Sequence, residues 1–180
     1  MSRISIPSLD ATPEGSKAAL DVVHKQLGVV PNLFRLIGNS PAALTAFTSF
    51  QSALGKALDL KTRERIALAV AQVNGCGYCL SAHTYIGLNL AKISPEEIAL
   101  NRKGASVDAR ANAVVAFAHK VAQERGHVSD ADIKAVRDAG FTDAQIVEIV
   151  GLVAENSFTN FLNEVAKTDI DFPLVDAKAA

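Results

Sequence analysis

The sequence predicts an all-α fold, a single domain built as a helical bundle of about eight helices. Three features carry this. Alanine, the strongest helix former, supplies 30 of the 180 residues. Runs of β-branched residues divided by turn signals, which would mark strands, do not occur. Apolar residues instead recur at intervals of three and four, and most such stretches open on a capping residue.

The elements follow in chain order. Residues 1–13, with Pro7 and Pro13, form an N-terminal arm. A first helix spans Glu14 to Leu27, with Ala19, Leu20, Val23 and Leu27 at helical spacing and Gly28 as its stop. Val30-Pro31-Asn32 is a loop, because proline disfavours helix in the residue before it. Leu33 to Ile37 makes a short turn of helix. Ser40-Pro41 pairs a cap with a proline at the first helical position, and the helix it opens carries Leu44, Phe47, Phe50 and Leu54 on one face.

Asp59 caps the next helix, from Lys61 to Asn74. Its apolar residues lie nearly all round, with Ile66, Val70 and Val73 on one side and Leu68 and Ala71 on another, so it is a buried helix. Glu64 shares the Leu68/Ala71 side and stands as an acid at the edge of the interior. Asn74-Gly75 interrupts, and a helix follows from Cys76 to Ala91. Ser94-Pro95-Glu96-Glu97 starts another. The remaining helices span Asp108 to Arg125, Ser129 to Gly140, and Thr142 to Ala166, the last opened by the Thr142/Gln145 capping box. Residues 169–180, with Pro173, form an extended tail suited to covering a neighbouring subunit.

Composition narrows the function. With 49% hydrophobic and 21% charged residues the chain is an ordinary globular one. Its 18 basic residues against 19 acidic ones give a net charge of −1, without the basic excess that nucleic acid or an anionic membrane demands. No apolar run is long enough to span a bilayer. The first dozen residues lack the apolar stretch of a secretory signal, which places the chain in the cytoplasm.

The two cysteines are three residues apart, in Asn74-Gly75-Cys76-Gly77-Tyr78-Cys79-Leu80-Ser81-Ala82-His83. A loop this short is a poor stabilising staple, so the pair reads as redox chemistry or half a metal site. Cys76, Cys79 and His83 fall on one helix stripe, and His83 is one turn from Cys79, within reach of its proton. A helix places such i,i+3 β-carbons about 5–6 Å apart, whereas a disulfide wants about 3.8 Å. The first turn must therefore loosen, which Gly75 and Gly77 ease. A helix N-terminus also favours thiolate over thiol.

These residues resemble the AhpD-like alkylhydroperoxidases of the carboxymuconolactone decarboxylase superfamily. The family pattern is a glutamate, then Cys-x-x-Cys, then a histidine four residues on. Glu64, Cys76, Cys79 and His83 fit it, and the resembling redox core covers residues 59–90. Val30-Pro31-Asn32-Leu33-Phe34 and Asp171-Phe172-Pro173 look like the peroxidase-related branch.

The resemblance implies an AhpD-like fold and reduction of a hydroperoxide substrate without a cofactor. Cys79 would be the peroxidatic thiol and Cys76 the resolving one. Glu64 and His83 would form a proton relay, and a dithiol, such as a lipoyl protein, would be the reductant. It also implies a trimer or hexamer. The pattern departs at Tyr78, where the better-known sequences carry histidine; a phenol with pKa near 10 cannot supply an imidazolium.

Other readings stand beside this one. Behind the peroxidase stand a general dithiol–disulfide oxidoreductase and, third, a non-catalytic helical oligomer that senses redox state. A zinc site would have Cys76, Cys79 and His83 but lacks an evident fourth ligand, so no metal is expected. His24, His119 and His127 read as structural or surface groups. Phe158, Asn160, Phe161 and Asn163 read as a packing or subunit-contact face, and Phe158, Phe161 and Leu162 with the Phe172-Pro173 tail are the candidates for a subunit contact.

Overall fold

The structure, a computed structural model, describes residues 2–177. Met1 of the arm and residues 178–180 of the tail lie outside the described residues. The helices are α1 (Glu14–Leu27), α2 (Asn32–Ile37), α3 (Pro41–Leu54), α4 (Leu60–Val73), α5 (Gly77–Asn89), α6 (Pro95–Arg102), α7 (Ala109–Gln123), α8 (Asp130–Asp138) and α9 (Asp143–Ala166). Among the described residues these are nine helices and no strand. The one beyond the expected eight is the six-residue α2, read from sequence as a turn.

The caps sit where the sequence put them. Ser40, Asp59, Ser94, Asp108, Ser129 and Thr142 each accept a hydrogen bond from the backbone three residues on. Ser129/Asp132 and Thr142/Gln145 are full capping boxes. Such a cap contributes about 1 kcal/mol to its helix.

The centre of the molecule is α4, which packs against α5, α6, α7 and α9. Its Ile66, Leu68, Ala69, Val70 and Ala71 are wholly inaccessible. Ile66, Ala69 and Val70 face a core shared with α7, α8 and α9, while Leu68 and Ala71 face a second core with α5, α6 and the tail. A third core joins α1, α2 and α3. Glu64 is on the second side, one turn before Leu68, and is buried there. The all-round burial of α4 thus brings a carboxylate to the flank of α5.

The described residues of the arm and of the tail are tied to the bundle. The Arg3 N–H donates to Ala166 O at 2.5 Å, and Ser2 Oγ to Asp169 Oδ2 at 3.1 Å. Along the described residues the tail packs on its own chain. Val175 N–H donates to Ser81 Oγ of α5, Gln72 Nε2 to Ala177 O, and Arg102 Nη2 to Asp176 O. Ile170, Phe172 and Val175 cover the cysteine segment. Their apolar side chains join the second core of their own chain. No helix among the described residues is long and apolar enough to cross a membrane.

Candidate active site

The cysteine segment is built by a chain reversal and a cap. After α4, Gly75 turns the backbone through φ +66°, a left-handed conformation that glycine takes without steric penalty. Cys76 is then not the first helical residue, as the spacing predicts, but the N-cap of α5, with extended backbone (φ −81°, ψ 100°). Its side chain folds back over the first turn and accepts the Cys79 N–H at 3.3 Å. This is how the pair closes without a loosened helix. Both cysteines are free thiols, and their sulfurs lie 2.7 Å apart. Reaching the about 2.05 Å of a disulfide requires only a small further approach.

The two thiols are electrostatically unequal. Cys79 is pulled down to about 7, first because the Cys76 thiol donates to its sulfur, then by the His83 charge, by the hydrogen bond from Asn163 and by the nearby Asn160 amide, all against the opposing effect of burial. Cys76 is pushed up by that same hydrogen bond, which it would lose on ionising, and by burial. Cys79 is therefore the thiolate and Cys76 the proton-bearing partner. A lowered pKa means that the thiolate is present above about 7 and lost as pH falls through it. Alkylation of Cys79 by iodoacetamide should accordingly rise with a midpoint near pH 7. A midpoint at the ordinary thiol value of about 8.5 would contradict this electrostatic arrangement.

His83 stands one turn after Cys79, and its Nδ1 is 2.8 Å from Glu64 Oε2 across the α4–α5 contact. The carboxylate can only accept, so Nδ1 carries the hydrogen and Nε2 is the nitrogen that can take or give a proton. Burial lowers the imidazole's proton affinity, but the Glu64 charge and hydrogen bond outweigh it and the net shift is upward. A second carboxylate, Glu155 of α9, lies near His83 and is pushed up, chiefly by burial.

Tyr78 occupies the position where the resembling pattern has histidine. Its ring packs edge-on against Phe172 at 5.8 Å, and its hydroxyl accepts the Leu33 N–H at 3.2 Å. It anchors the tail and the start of α2 rather than supplying charge to the sulfurs, and burial pushes its own pKa up.

All four residues singled out from sequence, Glu64, Cys76, Cys79 and His83, meet in this region. Two that sequence reading assigned to packing do as well. Asn163 Nδ2 donates to Cys79 Sγ at 3.3 Å, and the wholly buried Asn160 accepts from Asn74 Nδ2 at 2.9 Å. A signal existed: Asn156, Asn160 and Asn163 follow one helical stripe at intervals of four and three, on a helix whose inward residues are otherwise mostly apolar. Such residues are buried only where something polar awaits them. Of the remaining histidines, His119 packs against Gly104, where its ring leaves no room for a Cβ. Among the described residues no group of three or more His, Cys, Asp or Glu is placed to hold a metal ion.

A cavity of about 360 Å³ opens beside the relay. Leu33, Phe34, Phe47, Ile86, Leu152 and Phe172 give it an apolar wall, and Glu64, His83 and Glu155 give it a polar edge.

Residues 41–124 match the carboxymuconolactone decarboxylase family. A solved structure with an alkylhydroperoxidase AhpD core, an uncharacterized peroxidase-related protein from Ralstonia eutropha JMP134, is 30% identical, covers 94% of this chain and 92% of its own, and superposes with a TM-score of 0.82. An uncharacterized peroxidase-related protein from Silicibacter sp. TM1040 is 25% identical over 93% of this chain and 91% of its own, with a TM-score of 0.80. The debrominase Bmp8, solved as a variant in complex with 2,3,4-tribromopyrrole, shares the fold at 18% identity, with 94% and 91% covered and a TM-score of 0.78. No curated protein matches the chain.

Proposed function

This chain belongs to the carboxymuconolactone decarboxylase superfamily as an AhpD-like member, and from that premise we propose that it is a thiol peroxidase reducing organic hydroperoxides. One observation carries the reading: the Cys79 sulfur lies 2.7 Å from a second thiol and one turn from a histidine held by a buried carboxylate.

The steps follow from the two thiols' inequality. The Cys79 thiolate attacks the terminal peroxide oxygen; an S–O bond forms as the O–O bond breaks. The departing alkoxide takes a proton from the His83 imidazolium, which Glu64 stabilises, and leaves as the alcohol. Cys79 is then a sulfenic acid, the first product of thiol oxidation. Its oxidation removes the hydrogen bond that held Cys76 protonated. Cys76 gives up its proton and attacks the Cys79 sulfur; the disulfide forms and the hydroxyl leaves as water. A dithiol, such as a lipoyl group, reopens the disulfide by exchange. The need for continual re-reduction suits the cytoplasm.

The apolar cavity at the relay supports a hydroperoxide with a carbon skeleton. It also favours peroxidase chemistry over general protein disulfide exchange, because both sulfurs are buried and the tail covers their helix. The deciding assay is consumption of cumene hydroperoxide by wild type with dihydrolipoamide as reductant. Sustained turnover is expected. Disulfide exchange without peroxide consumption would leave a dithiol oxidoreductase, and neither activity would leave a non-catalytic redox sensor.

Assembly into a trimer or hexamer is part of the same reading. The packing of the single chain narrows the candidates for the contact. Leu162 packs into the core of α1, α2 and α3, Phe158 leans on Phe47 at 5.7 Å, and the tail is engaged by its own chain. Val147, Val150, Phe158, Phe161 and Val165 remain exposed along one side of α9, an apolar stripe of the kind that subunits bury. Light scattering should give a mass three or six times that of one chain, and Phe161→Glu should dissociate it. A monomeric wild type would overturn the assembly.

A further inference from the structure

We propose that Asn163 and Asn160 of α9 form an amide cradle for the reactive sulfur: Asn163 holds the Cys79 thiolate, and Asn160 receives the oxygen transferred to it. The second half rests on the peroxidase reading; the first does not.

The geometry begins at the end of α4. Asn74, its C-cap, donates to Asn160 Oδ1, which fixes that amide so that Nδ2 is the end left over. Asn160 is fully buried, and its Nδ2 has no hydrogen-bond partner. A buried N–H left unpaired is costly to the fold and rare. It is explained if an acceptor arrives during the reaction. Asn163 already donates to the sulfur and is itself buried. The two residues are three apart and share a face of α9, so a helix remote in sequence brings two amides to one atom.

Peroxide reduction places an oxygen on that atom. The S–O bond forms as the O–O bond breaks, the transferred oxygen keeps its hydrogen, and negative charge moves from sulfur through the stretched peroxide bond to the departing alkoxide. A preorganised donor at this point lowers the barrier, as oxyanion donors do elsewhere. The cradle thus takes over anion stabilisation at a site where Tyr78 cannot provide it. The other ionisable groups around the pair are His83 and Tyr78 on α5, Cys76 at its cap, Glu64 on α4, Glu155 and Glu164 on α9, and Asp171 in the tail. Among these His83 and Cys76 favour the Cys79 anion. The neutral amides do so without a titration of their own, so their effect is constant with pH.

Two readouts on the full-length protein separate the two roles. Thiolate absorbance in the ultraviolet, followed against pH, reports ionisation without any peroxide. Asn163→Leu, or Asn163→Ala if the leucine variant does not fold, should raise the midpoint by about one pH unit. An unchanged midpoint in a folded variant overturns the thiolate half. For Asn160→Leu, rates are compared at a pH where Cys79 is fully ionised. Attack on cumene hydroperoxide should fall about tenfold or more, while alkylation by iodoacetamide, which transfers no oxygen, stays within about twofold. Asn74→Ala, which unlocks the amide from a distance, should show the same selective loss in weaker form. Equal slowing of both reactions, or of neither, overturns the oxygen half. If wild type titrates as expected but consumes no peroxide, the peroxidase reading and the role of Asn160 fall together, and the titration still decides Asn163.

Discussion

Replacing His83 with alanine is expected to slow peroxide reduction by about 10²–10⁴-fold, the usual worth of a positioned general acid, while leaving the helices intact. Two losses combine. The alkoxide leaving group loses its proton donor, and Cys79 loses the imidazolium charge that helps to hold it ionised. The second loss is recoverable at high pH and the first is not, so the variant's rate should climb with pH yet plateau far below wild type. Glu64→Gln tests the other end of the 2.8 Å pair. The amide keeps the shape and can still accept from Nδ1, but the charge that raises the imidazole's pKa is gone. The imidazole should then hold its proton less well, and acid pH should not rescue the variant, because the donor returns only as the Cys79 thiolate is lost. Folded variants with wild-type rates would remove both residues from the mechanism. Circular dichroism guards against the trivial loss, because Glu64 is buried against α5.

Cys76→Ser should stop multiple turnover altogether while sparing the first event. Cys79 can still attack a peroxide and become a sulfenic acid, but no thiol stands at 2.7 Å to resolve it. The expected signature is one equivalent of alcohol per chain, a sulfenate trapped by dimedone, and no intramolecular disulfide. The same substitution weakens the donor that chiefly lowers Cys79, since a serine oxygen is a shorter reach than sulfur, so the single event should also be slower near neutral pH. Continued turnover with dihydrolipoamide would show that resolution does not need Cys76.

Much of this site was readable in one dimension, and the reason is local geometry. The Cys76, Cys79 and His83 spacing is a property of one helix, whereas Glu64, which by itself reads as a solvated charge of a helix's first turn, was singled out by the family resemblance. Caps such as Ser94 and Thr142 are likewise local devices, and the structure keeps them. What escaped depends on contacts between distant segments. Asn163 lies 84 residues from Cys79, and nothing in the spacing of α9 alone says which helix its polar stripe will meet. Cys76 was read as helical because periodicity cannot tell a first residue from a cap; the extended backbone after Gly75 decides it. The tail's packing on its own chain was equally hidden, because an apolar segment with proline shows only that it needs covering. Its place on Ser81 and Tyr78 emerges from the assembled second core.

The central claim, that Cys79 is the sulfur that takes the peroxide oxygen and passes through to a disulfide with Cys76, is tested most directly by titrating the fully reduced protein with cumene hydroperoxide in the absence of any reductant. Intact-mass and thiol measurements should show one peroxide consumed per chain, both free thiols lost, and an intramolecular Cys76–Cys79 disulfide, with Cys79→Ser consuming none. Peroxide consumption that persists in Cys79→Ser, or wild-type protein that keeps both thiols after excess peroxide, would contradict it.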